Sequence, residues 1–183
     1  MPPFISRTLL LCTAAFTLPA FADAPATLAP LLDSVAQRLE VAPKVALTKW
    51  DSHKPVLDAP RERDVIAGAG KLAADYKLDG ALAEQFFAAQ IEANKLVQYS
   101  LLSQWNQQGS APGTPRADLA KEIRPQLDVL QKQLLERLAA FAPSRTDAQC
   151  PRWLAAAIGA RKADPLQHQA LVRATGELCS APS

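Results

Sequence analysis

From Leu28 to Trp50 apolar side chains recur every three or four residues, at Leu28, Leu31, Leu32, Val35, Leu39, Ala42, Val45, Ala46 and Trp50. With 3.6 residues per turn, that spacing gathers them on one stripe of a long amphipathic helix, which other elements must cover. No stretch alternates with the period of two that a half-buried strand shows, so the covering elements are helices too. Pro43 lies inside the stripe, removes one hydrogen bond and crowds the preceding turn, so the helix bends or restarts there; a kink is the expectation.

The other helices announce themselves by their starts. Asp58 precedes Ala59-Pro60 and reads as an N-cap with proline in the first turn of a second helix, which runs to about Tyr76 and buries Val65, Ile66, Ala69, Leu72 and Ala73. Gly68 and Gly70 each weaken it by about 1 kcal/mol relative to alanine and let a neighbour approach closely. Asp79 caps a third helix reaching about Gln107, with Leu82, Phe86, Phe87, Ile91, Leu101, Leu102 and Trp105 as core. GSAPGTP, residues 109–115, reads as a flexible connector. A fourth helix carries Leu119, Ile123, Leu127, Leu130, Leu134, Leu138 and Phe141. Pro125 disfavours helical geometry for Arg124, so this helix either begins at Pro125 or bends there. Two short helices follow, the second opened by Asp164-Pro165.

Residues 1–22 combine Arg7, an apolar run from Thr8 to Leu18 and Ala20-Phe21-Ala22 as a small-x-small cleavage site, the pattern of a secretory signal peptide. The run is too short to span a membrane, and Leu11 before Cys12 does not suit a lipoprotein cleavage site. Cleavage after Ala22, with Ala24 as the alternative, delivers the protein to the periplasm or the medium. It also removes Cys12 and leaves Cys150 and Cys179, an even pair in an oxidising compartment and therefore a disulfide. Closing a loop of that length is worth up to roughly 3.6 kcal/mol on the chain-entropy account. At 183 residues, 49% hydrophobic and 21% charged, residues 23–183 form one all-α domain. The expected architecture is a helical bundle with a long kinked first helix, a core over 28–141 and a disulfide-stapled C-terminal hairpin over 142–183.

A net charge of +2 and the absence of any block of like charges exclude a nucleic-acid or anionic-membrane footprint. His53 and His168 are far apart, no HExxH or Cys-x-x-Cys occurs, and no phosphate-binding glycine loop or Gly-x-Ser-x-Gly is present, so metal, phosphoryl-transfer and serine-hydrolase chemistry find no residues. What remains is a set of cations and amides. Arg38 and Lys49 are eleven residues apart, three turns plus about 20°, and project from one helical face roughly 16 Å apart. Arg61 and Glu62 open the next helix, and Gln90, Asn94 and Gln98 form a polar stripe on the third, a solvated face on pattern alone. Together they suit an elongated dianion and a reaction without a covalent intermediate.

The segment RLEVAPKVALTKW followed by VLDAPRERDVI resembles the all-helical (AroQ-type) chorismate mutases, specifically their exported gamma subclass, whose motif runs arginine, lysine, then aspartate-x-x-arginine-glutamate. Here these are Arg38, Lys49, Asp58, Arg61 and Glu62; YKLDGALAEQFF and QIEANKLVQYS extend the likeness over about residues 35–105. The resemblance implies conversion of chorismate to prephenate without metal or cofactor, in a homodimer that contacts neither nucleic acid nor membrane. It further implies that Arg38, Arg61 and Arg124 bind the two carboxylates, that Lys49 and Gln98 donate to the ether oxygen, and that Glu62 accepts from the substrate hydroxyl. Asp58 contributes as helix cap, and Asn94, where many members have serine or threonine, contacts a carboxylate. Val65 stands where some gamma members place a polar group. A pyruvate lyase acting on isochorismate, on the same fold, and a non-catalytic periplasmic carboxylate-binding protein are the alternatives.

Overall fold

The computed structural model describes residues 23–180, so the signal peptide and Cys12 lie outside the described residues. Among these residues every regular element is helical: α1 (Leu28–Leu39), α2 (Ala42–Ser52), α3 (Ala59–Ala73), α4 (Gly80–Gln108), α5 (Arg124–Phe141), α6 (Cys150–Gly159) and α7 (Pro165–Thr175), with short tight or wide turns adjoining several of them.

α4, roughly 43 Å long at 1.5 Å per residue, is the axis of the bundle. It buries Phe86, Phe87, Gln90, Ala93, Val97 and Trp105 because α1, α2, α3 and α7 all pack on it. The α1 stripe Leu28, Leu31, Leu32, Val35 and Leu39 is almost wholly withdrawn from water, and each such leucine contributes roughly 1.5–3 kcal/mol of burial. α5 closes this core with Leu134, Leu135, Leu138 and Phe141.

The first helix is kinked, as its sequence implies. α1 and α2 are separated by Glu40 and Val41, which stay in the right-handed helical basin, and Pro43 falls in the first turn of α2. α2 continues beside the C-terminal half of α4, where Trp50 meets Trp105 edge-to-face with centroids 6.0 Å apart. His53 ends α2 in the left-handed conformation, φ 53°. α3 runs antiparallel to α4: Glu62 reaches Lys95, while a Cβ at Gly70 would collide with the side chain of Glu84. The backbones come close at Gly80, where a Cβ would lie 3.3 Å from the Gly70 carbonyl oxygen; Gly68 has open space.

Two readings of the sequence need correction. Arg124 is helical, φ −63° and ψ −48°, despite Pro125. The turn Leu119–Ile123 is wide, with Ile123 N–H and Arg124 N–H donating five residues back to Asp118 and Leu119, and this wider turn accommodates a proline that would crowd an α-turn. The connector is also tied down. Arg116 binds both carboxylate oxygens of Asp51 on α2, at 2.7 and 3.2 Å, and the carbonyls of Pro112 and Thr114 at 2.7 Å.

The C-terminal hairpin is stapled by the Cys150–Cys179 disulfide. Asp164 caps α7 by accepting from Leu166 and Gln167 N–H, and Arg145 donates to the carbonyls of Leu178 and Glu177. Arg161 reaches Asp33 at 2.7 Å, fastening the hairpin to α1. Gln90, fully buried, donates to the Ala174 carbonyl at 2.8 Å, so this member of the polar stripe is a structural tie between α4 and α7.

Candidate active site

A cavity of about 160 Å³ opens between α1, α2, α3, α4 and α5. Arg38, Lys49, Asp58, Arg61, Glu62, Asn94, Gln98 and Arg124 all line it, so every sequence-identified site residue arrives at one place. Arg124 reaches it from the same chain. The polar stripe of α4 is therefore not a solvated face: Gln98 is 5% exposed, and α1 and α2 cover what periodicity alone leaves open.

Arg38 forms the buried floor. Its side chain lies 6.0 Å from the Phe87 ring, its Nε has no hydrogen-bond partner, and burial lowers its pKa to about 10. A guanidinium withdrawn from water without a carboxylate is costly, and an anionic ligand would offset that cost. Arg61 and Arg124 stand exposed at the rim, with Lys49 half-buried between the two depths.

Local structure places the rim residues. Asp58 accepts from Arg61 N–H at 3.3 Å, and Glu62 Oε1 accepts from Asp58 N–H at 3.2 Å, a reciprocal cap that holds both in the first turn of α3. The same arrangement recurs before Arg124: Asp118 accepts from Ala120 and Lys121 N–H, and Glu122 accepts from Asp118 N–H. Asp58 is thus the helix cap its sequence position implies.

Several lining residues escaped the reading of the sequence. Lys95 bridges Glu62 and Glu92 at 3.0 and 2.7 Å. Burial opposes its charge, but the hydrogen bonds to Glu92 and Glu62 outweigh it and raise its pKa. Lys95 follows Asn94 directly and falls off the i, i+4 stripe, so the only available signal was its i, i+3 pairing with Glu92. Asp128 and Gln131 line the wall from α5. With Arg124 and Leu127 they sit at i, i+3, i+4 and i+7, a helical face that was legible once Arg124 was placed. Val45, Val56, Val65, Ile91, Leu119 and Leu127 supply apolar surface. Five cations, Arg38, Lys49, Arg61, Lys95 and Arg124, face three carboxylates, Asp58, Glu62 and Asp128, so the cavity is a net acceptor of negative charge.

Neither histidine nor cysteine lines the cavity, and no cluster of three or more potential metal ligands occurs among the described residues. The site offers forked and single-point cation donors, amides and one carboxylate fixed by two partners.

The chain is similar in sequence and fold to known proteins. Residues 29–99 match the family described as chorismate mutase type II. The secreted chorismate mutase of Mycobacterium tuberculosis is 34% identical over 166 residues, 87% of this chain and 82% of its own length. That of Mycolicibacterium smegmatis is 32% identical over 164 residues, 87% and 90%. The crystal structure of a chorismate mutase from Burkholderia phymatum superposes with a TM-score of 0.81 at 44% identity, covering 84% of this chain and 96% of the other. Likeness of this extent, in sequence and in fold, settles the kinship: the chain belongs to the chorismate mutase family.

Proposed function

We propose that the protein rearranges chorismate to prephenate with the cavity between α1 and α5 as its active site. The supporting observation is the convergence of three arginines, Lys49, Gln98 and Glu62 on one cavity of one chain, with the Arg38 guanidinium buried and without a carboxylate partner. The reaction is an isomerisation: one carbon–oxygen bond breaks as one carbon–carbon bond forms, and no atom enters or leaves. It needs no nucleophile and no base. The enzyme's tasks are to hold the substrate in the conformer that brings the reacting carbons together and to stabilise charge as it grows on the ether oxygen.

The roles that the family resemblance implies suit the chemistry of each donor. Guanidinium groups grip carboxylates bidentately, which suits Arg38 at the floor and Arg61 and Arg124 at the rim to the two substrate carboxylates. Lys49, a single point of charge, and the Gln98 amide donate to the ether oxygen. Glu62, held in place by Lys95 and the Asp58 N–H, accepts from the substrate hydroxyl. Incubation of purified protein with chorismate and, separately, isochorismate tests the reading. Prephenate from chorismate is expected; pyruvate from isochorismate, or no turnover of either, would overturn it.

The secreted relatives support export of this chain through removal of residues 1–22, giving a mature N-terminus at Asp23 that intact-mass measurement of periplasmic protein can check. A homodimer with one complete site per chain is the assembly the family suggests. If mixed Arg38→Ala and Arg124→Ala chains regained activity on forming heterodimers, the site would be shared instead.

A further inference from the structure

A glutamine side chain donates at one end of its amide and accepts at the other, and only the donor end can stabilise an oxygen gaining negative charge. Some neighbour must therefore choose the orientation of Gln98. Resting on the chorismate mutase reading, we infer that Asn94 is a positioning residue that sets the amide polarity of Gln98, with the backbone carbonyl of Arg38 as its reference.

The chain of contacts starts at a group with no ambiguity. The Arg38 carbonyl can only accept. It accepts from Val41 N–H at 3.3 Å, in the three-residue turn that closes α1 at the kink, and from Asn94 Nδ2 at 3.5 Å. Turning the Asn94 amide over would set its oxygen against that carbonyl, acceptor against acceptor. Asn94 Oδ1 is thereby directed at Gln98, whose Nε2 donates to it at 2.7 Å. The first N–H of Gln98 is spent on this contact, and the second N–H of the same nitrogen is left for the substrate. Gln98 Oε1 is buried with no partner, so no other group selects the opposite orientation. The Arg38 carbonyl thus serves two donors at the end of α1, Val41 N–H in the turn and Asn94 Nδ2 from α4.

Steady-state kinetics of four variants test this against the simpler role of Asn94 as a carboxylate contact. Asn94→Leu keeps the shape and removes the polarity; kcat should fall about tenfold or more with KM within about threefold of wild type. Adding Gln98→Ala to Asn94→Leu should then cost far less than Gln98→Ala alone, since the ordered donor is already lost. Asn94→Asp still accepts from Gln98 Nε2, so its kcat should exceed that of Asn94→Leu severalfold while its KM rises from added negative charge in an anion site. A raised KM with unchanged kcat in Asn94→Leu, or full additivity with Gln98→Ala, would overturn the assignment. Should Asn94→Leu fail to fold, judged by circular dichroism, Asn94→Asp decides alone: a kcat loss as large as that of Gln98→Ala overturns it. Absence of chorismate turnover in wild type would overturn the underlying reading as well, which separates the two failures.

Discussion

Lys95 Nζ lies 3.0 Å from Glu62 Oε2, an ion pair that joins the middle of α4 to the first turn of α3 across 33 residues of sequence. Because Glu62 Oε1 is held by Asp58 N–H, the two contacts fix the whole carboxylate plane. Lys95→Met should lower kcat/KM for chorismate about tenfold, the scale of losing one hydrogen bond between charged groups. Glu92→Gln, which removes the other and more exposed partner of Lys95, should change it less than about twofold. Equal losses in the two variants would show that Lys95 acts on something other than Glu62.

Arg38 sets stability against function. Arg38 is 6% exposed and its guanidinium lacks a carboxylate, so Arg38→Met should hold or raise the melting temperature while raising KM at least about 10²-fold. Thermal unfolding followed by circular dichroism, beside a saturation curve, checks both. A large fall in Tm would mean that the charge is well solvated or paired in the free protein.

Neither shifted cation of the cavity titrates near neutrality. Arg38, depressed by burial from its ordinary value to about 10, is charged in folded and unfolded chains alike below that value, so its burial penalty is constant there and is relieved only as pH rises from about 10 towards the ordinary value. Lys95, raised above 10.5, contributes pairing stability that is complete below 10.5 and lost as pH climbs through its folded value. The KM for chorismate should therefore be flat from about pH 5 to 9 and rise from about pH 10 as the clamp discharges. An inflection near pH 7 would require a titrating group outside this pair.

Gln98→Glu should convert a pH-indifferent donor into one that works only when protonated. The new carboxylate would face Asn94 Oδ1, which Gln98 now meets at 2.7 Å, and the repulsion between two acceptors would push its pKa above the reference of about 4.3. Activity should fall steeply as pH rises through that pKa and recover in part in acid. A variant as active as wild type from pH 5 to 8 would remove Gln98 from the reacting oxygen.

The disulfide should matter to stability and not to chemistry, since neither cysteine lines the cavity. Cys150→Ser with Cys179→Ser should cost up to about 3.6 kcal/mol in denaturant unfolding, the scale of the entropy of closing that loop. Its kcat at 20 °C or so should stay within about twofold of wild type. A tenfold loss of kcat in folded protein would show that the hairpin positions α4 through the Gln90–Ala174 contact.

Helices were legible because their signals are local. Asp58, Asp79 and Asp164 each cap the helix that their sequence position implies, and the three-four stripe of α1 is the stripe that is buried. The arginine at Arg38, the lysine at Lys49 and the Asp58-Arg61-Glu62 set were legible through family spacing. Arg124 was harder, because proline preference speaks of an ordinary α-turn and cannot foresee the wide turn at Leu119–Ile123 that makes room for Pro125. Arg116 was passed over because its partner Asp51 is 65 residues away and the intervening glycines and prolines read only as a connector.

By itself the sequence determined the all-helical class, the helix starts, the kink at Pro43 and the residue types of an anion site, since each depends on neighbours within a few turns or on a short motif. Only the tertiary structure decided which polar residues of α4 meet solvent, core or cavity. Gln90, Asn94 and Gln98 share one helical stripe, yet Gln90 ties α4 to α7, Asn94 reaches the Arg38 carbonyl and Gln98 lines the cavity. Helical periodicity reports which residues share a face; what covers that face depends on where α1, α2 and α7 pack, and no local pattern in α4 carries that information.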